Sequence, residues 1–270
     1  MNLPFTKIRS YAGISICAAL AAILAGCAKV SVTPQGVQQP NPALVAHALK
    51  AESLPPTQVA VRDFAFAPAA VIENRAPLHR TADLLRSSSA DQRRIEIGRD
   101  AAAVISKQAA KRLATIGLPA TRIPSDSDAP LYDNSLLVTG QLLDVDEGNR
   151  LTRIALGLGA GESRLDTEVH VYRVMNGEKA EVLTFTTHAD SGKMPGVLAS
   201  MGVGELLLGP VTAIAAIQDA ASSGQKIYSS QIEYLAAKTG DQVANYLSQY
   251  SADHGWIPYS KAKPVKLVAG

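Results

Sequence analysis

An α+β fold is the class this sequence predicts: a two-layer domain in which a small, mostly antiparallel sheet packs on amphipathic helices. Three observations predict it. Alternating apolar residues at 135–145, 164–174 and 181–189 have the period of half-buried strands. Asn176-Gly177 separates the last two runs, and both residues tolerate positive φ, as a tight hairpin requires. The run 95–117 has apolar residues three or four apart, the spacing of a helix with one buried stripe. The chain has 270 residues, 47% hydrophobic and 19% charged, so it is long enough and apolar enough to bury a core.

In chain order, the first strand expected is Gln58 to Phe66, closed by Pro68. Pro77 to Asp91, with the triplet Ser87–Ser89, reads as a loop or exposed helix. The helix over 95–117 buries Ile97, Ala101, Val104, Ile105, Ala109, Leu113 and Ile116, and Gly117 followed by Pro119 stops it. Ala120 to Ile123 is a short strand. Ser135 to Val145 is a longer one, ending in the turn Asp144-Val145-Asp146-Glu147-Gly148-Asn149. Arg164 to Val174 alternates through Leu165, Thr167, Val169, Val171 and Arg173, and Glu181 to Ala189 returns beside it. Ser229 to Tyr250 is a second amphipathic helix.

Pro195 to Ala221 is apolar on all sides as far as Ile217, a run with one acid, Glu205, and several glycines. It reads as a buried or partner-facing helical pair. Insertion into a bilayer is the other reading, disfavoured by Pro210 and by the cost of an intramembrane carboxylate.

The first 26 residues differ from the rest. They contain Lys7 and Arg9, no acid, and an apolar stretch from Ala12 to Ala25, the marks of a secretory signal peptide. The stretch is shorter than the ~20 residues a spanning helix needs. It ends in Leu24-Ala25-Gly26-Cys27, which resembles the lipobox of bacterial lipoproteins. Small residues precede a cysteine whose thiol is alkylated by diacylglycerol and whose freed amine is then acylated. Cys17 follows the bulky Ile16 and fits the cleavage pocket poorly. Several acyl chains on Cys27 hold a protein stably where one does so only marginally. Ala28, in place of Asp, resembles the enterobacterial signal for the outer membrane, so the expected location is the periplasmic face of that membrane.

This divides the chain into a signal peptide at 1–26, an acylated cysteine and Pro-, Gln-, Ser- and Thr-rich tether at 27–56, an α+β domain at 57–256 and a loose basic tail at 257–270. A short helix at 43–51 is expected within the tether. The leader holds two of the 26 basic residues and none of the 24 acids, so the remainder is balanced in charge. Nothing in that balance points to nucleic acid. With Cys17 removed and Cys27 acylated, no free thiol enters an oxidising compartment.

No motif indicates catalysis, and no cofactor is implied. Gly157-Leu158-Gly159-Ala160-Gly161 lacks dinucleotide spacing and is followed by a strand, so it reads as a glycine-rich turn or bulge. Arg150, Arg153 and Arg164 flank it, which suits an anionic ligand or an acidic partner. Pairing with Asp144, Asp146, Glu147 and Glu162 on a solvated face is the simpler reading. The run 144–148 lacks the ligand pattern of a calcium loop and reads as a plain turn. His170 and His188 fall on strands that the hairpin brings near each other, as a metal pair or as separate strand histidines. Ser87–Ser89 has no nucleophile context.

Val138-Thr139-Gly140-Gln141, Asp146-Glu147-Gly148-Asn149-Arg150, Arg153 to Ser163 and Val169-His170-Val171-Tyr172 together resemble a proteobacterial lipoprotein family, the domain of unknown function 4410. The family has no established reaction to carry over. The resemblance implies an envelope lipoprotein with a non-catalytic domain that binds or scaffolds another envelope component, or associates with itself. Arg150, Arg153, Gly157, Gly159 and Gly161 are the candidate contact residues. The alternative is an oligomeric pore or secretion-channel accessory subunit that inserts part of 195–221 or a strand pair.

Overall fold

The computed structural model describes residues 29–37, 54–73, 89–148, 161–192 and 225–268, with side chains of the last segment from Gln231 onward. The expected signal peptide, Cys27, the helix at 43–51, most of 77–91 and the whole of 195–221 lie outside the described residues.

Eight strands form one mixed sheet: β1 Lys29–Gln35, β2 Val59–Arg62, β3 Ala65–Phe66, β4 Val71–Ile72, β5 Ala120–Ile123, β6 Ser135–Asp146, β7 Arg164–Met175 and β8 Glu178–Asp190. The order across it is β1-β8-β7-β6-β2-β5, with β3 and β4 continuing along β6 beyond β2. The helices are α1 Ala90–Thr115 and α2 Gln225–Asp253. This is an α+β fold.

The long ladders β1–β8, β8–β7 and β7–β6 are antiparallel, whereas β2 pairs parallel with both β5 and β6. The parallel half follows from α1. A helix between β2 and β5 returns the chain to the end from which β2 started, so β5 must run the same way. The expected single strand 58–66 is broken at Asp63, whose N–H donates to the Ile123 carbonyl over 2.9 Å.

Helix α1 starts before the expected 95, because Ser89 closes a capping box. Its hydroxyl accepts the Gln92 N–H at 3.2 Å, and its own N–H donates to Gln92 Oε1 at 3.3 Å. Both helices cover one face of the sheet, where Ile105, Leu113, Leu235 and Leu247 meet Val61, Val138, Val169 and Phe185. The opposite face has a smaller cluster, Ala60, Ile123, Leu137 and Val174, beneath Ala129 and Leu131. Among the described residues, no helix is long and apolar enough to cross a membrane.

Two expected boundaries need correction. The tether assigned to 27–56 contains β1, and Val32 of that strand is fully buried in the main core. Val30 and Val32 alternate with polar residues, which suffices once β8 supplies the ladder. The tail assigned to 257–270 is pinned as well. Val32 donates its N–H to Lys266 O, and Val268 donates to Val32 O, both over 2.9 Å, while Ile257 is buried. The folded unit therefore extends past 57–256 in both directions. Pro34 shares the phase of Val32, so its missing N–H falls on this outer edge, where a strand tolerates it.

Candidate functional site

One end of the sheet gathers the segments that the sequence singles out. In register across it stand Lys29, Asp190, Arg164, Asp146 and Ile72. Just past this row the strands end in two similar turns. Gly148 donates its N–H to Asp146 Oδ1 at 2.7 Å, and Gly192 donates to Asp190 Oδ1 at 2.8 Å. Both glycines have positive φ, 70° and 72°. An aspartate two residues before a left-handed glycine thus ends both β6 and β8, the carboxylate satisfying the turn's own amide.

Ser163, fully buried, joins the pieces. Its hydroxyl donates to the Glu147 carbonyl at 2.7 Å, and its N–H donates to Ser191 Oγ at 3.0 Å. Ser191 N–H donates back to the Ser163 carbonyl at 3.0 Å, and the Gln231 side chain of α2 lies 3.4 Å from the Ser163 hydroxyl. A Cβ on Gly148 would stand 2.5 Å from the carbonyl oxygens of Gly161 and Glu162. The two ends of the glycine-rich 149–160 connection are therefore closed against each other by backbone contact.

Of the five candidate contact residues, Gly161 is the one placed by the structure, in a turn with φ 72°. Arg150, Arg153, Gly157 and Gly159 lie outside the described residues. Arg164 meets Glu162 at 3.6 Å, on the partly exposed rim. Neither Ser163 nor Gln231 stands in a motif; the signal in the sequence is the position of Ser163 at the end of the family-like run.

The face of the sheet away from the helices is lined with titratable groups. His188 Nδ1 lies 2.5 Å from Asp166, with Asp190 at 3.5 Å from Nε2. His170 Nδ1 lies 2.6 Å from Glu181, with Glu168 at 3.6 Å. The two histidines are out of step: His170 pairs with Thr184 and His188 with Asp166. Each ring thus meets its own carboxylates. Among the described residues, no three His, Cys, Asp or Glu side chains are grouped to hold a metal ion. Asp144 and Asp146 belong to β6, and Asp144 is in register with Asp166. Burial first, then the charges of Asp166 and Asp146, raise the Asp144 pKa above the ordinary carboxylate value, against the lowering effect of Arg164. Beside α1 a cavity of about 370 Å³ is lined by Ile97, Val104, Lys107, Arg122, Glu147 and Ile232 among others.

At the opposite end, Arg173 is buried in phase with Val169 and Val171. It donates to the Leu54 carbonyl at 2.9 Å and to Asn134 Oδ1, and its guanidinium lies 5.3 Å from the centre of the Trp256 ring.

These features define the class: a two-layer α+β domain whose sheet ends, on one side, in a pair of Asp-x-Gly turns closed around Ser163. The chain belongs to the family described as a domain of unknown function (DUF4410), whose model matches residues 59–205. No curated protein matches it. Among solved structures, the PelC dodecamer from Paraburkholderia phytofirmans is 14% identical with a TM-score of 0.30, covering 80% of this chain and 97% of that one. The hypothetical protein CT253 from Chlamydia trachomatis is 10% identical with a TM-score of 0.33, covering 73% and 99%. Likeness at that level carries no argument about function.

Proposed function

We propose that the protein is a lipid-anchored envelope lipoprotein of the outer membrane, on the periplasmic side, whose α+β domain binds or scaffolds another envelope component without catalysis. The observation behind this reading is the adjacency of two features. The lipobox-like Leu24-Ala25-Gly26-Cys27 stands immediately before β1, which starts at Lys29 and is built into the core through Val32. Three acyl chains on Cys27 would hold the domain stably at the bilayer. The contact surface on this reading is the glycine-rich connection with Arg150 and Arg153, based on the Gly148–Gly161 closure.

A Cys27→Ala form with its leader intact tests the anchor. Wild-type protein should stay with envelope membranes, and the variant should pass into the soluble fraction after carbonate or urea extraction. Retention of the variant would point instead to the pore-subunit alternative, with an apolar segment in the bilayer. Crosslinking in the native envelope should then yield a defined partner, and replacing Arg153 with Ala should reduce its capture.

A further inference from the structure

We propose that the sheet end formed by Lys29, Glu147–Gly148, Gly161–Arg164 and Asp190–Gly192 faces the phospholipid bilayer, with the strands standing away from it. The proposal rests on the lipoprotein reading and adds an orientation to it. One residue, Ala28, separates Lys29 from Cys27, so their Cα atoms are at most about 7 Å apart even in a fully extended chain. Lys29 is held in register with Asp190, and through it with Arg164 and Asp146, so the whole row follows the anchor. Met175, at the other end of β7, lies roughly 35 Å further along the strand.

The course of the chain gives independent support. Of the four connections outside the described residues, three leave at Glu73, Gly148 and Gly192 and return at Ser89, Gly161 and Gln225, all at this end, whereas the one after Val37 returns at Leu54 beside Arg173. Glu73 is bound to Arg93 of the first turn of α1 at 3.0 Å. Gln231 of α2 reaches Ser163, and α2 runs from there toward Arg173 and Trp256 at the far end. Its first six residues therefore extend about 9 Å beyond the Ser163 contact, on the side of the anchor. The described residues that flank the apolar stretch 195–221, Gly192 and Gln225, thus both lie on the side from which Cys27 issues. The far end has the tight turn Asn176-Gly177 and the buried Arg173 cluster instead.

Site-directed fluorescence tests the orientation on the full, acylated protein. The processed chain has no cysteine other than Cys27, whose thiol the lipid occupies, so a second cysteine can be labelled singly. Glu162→Cys and Arg164→Cys report the near end; Glu178→Cys and Lys179→Cys report the far end. Each is reconstituted in phosphatidylethanolamine–phosphatidylglycerol vesicles containing a headgroup nitroxide quencher, and intact mass is recorded for the same preparation. The expected result is at least a several-fold stronger quenching at both near-end sites than at both far-end sites. Equal quenching at the two ends, or stronger quenching at the far end, in protein acylated on Cys27 overturns the orientation and leaves the lipoprotein reading standing. A chain unmodified at Cys27 overturns both.

Discussion

Ser163 donates its hydroxyl proton to the Glu147 carbonyl over 2.7 Å, and so ties the start of β7 to the end of β6 at the base of the glycine-rich connection. Ser163 is fully buried and Glu147 half-buried, so removing the hydroxyl takes away that carbonyl's donor from the Ser163 side chain. Ser163→Ala should lower stability by about 1–3 kcal/mol, read from the midpoint of urea unfolding. An unchanged midpoint would mean that the connection is not closed by this bond.

Gly148 and Gly177 both have positive φ, 70° and 80°, but their surroundings differ. A methyl group at 177 meets nothing within 4 Å, whereas at 148 it stands 2.5 Å from two backbone oxygens. Gly177→Ala should therefore cost only the left-handed backbone term, about 1–2 kcal/mol. Gly148→Ala adds a backbone clash and should cost about 3 kcal/mol or more. Thermal and urea unfolding of the two variants side by side checks the order.

Arg173 joins three parts of the chain through Leu54, Asn134 and Trp256. Lysine keeps the charge and loses the planar fork and the ring contact. Arg173→Lys should destabilise the fold by about 2–3 kcal/mol, with a measurable change in Trp256 fluorescence. Trp256 is the single tryptophan of the chain, so the signal has one source.

Asp144 gives a pH dependence with a definite sign. Its carboxyl has a raised pKa, by burial first and by Asp166 and Asp146 second, so it holds its proton more tightly folded than unfolded. That group's contribution favours the fold below the ordinary carboxylate pKa of about 3.9 and is lost as pH rises through the raised value. Asp144→Asn should be more stable than the wild type at pH 7, and the difference should vanish toward about pH 3. A difference that grows on acidification would reverse the assignment.

The strands and helices whose burial follows their own periodicity were legible in the sequence. β6, β7, β8, the Asn176-Gly177 turn and both helices appear close to where alternation, helical spacing and stop residues put them. β1 was not, because Lys29–Gln35 is polar and proline-containing. Its burial comes from β8 and from the C-terminal segment, both remote in sequence. The same distance hid the pinned tail. The parallel half of the sheet has no local signal: helical spacing marks α1 as a buried layer, and its role as a crossover depends on where β2 and β5 sit in the sheet. At the candidate site, the glycine-rich run itself is legible in the sequence. Its closure by Gly148 depends on a backbone contact with Gly161 and Glu162, which no local spacing encodes.

The account depends above all on the chemistry of Cys27, and the intact mass of protein extracted from the envelope addresses it most directly. The account predicts a chain starting at residue 27, heavier than its amino acids by a thioether-linked diacylglycerol and an amide-linked acyl chain. A chain that retains residues 1–26, or one that starts at 27 with no added mass, would contradict it.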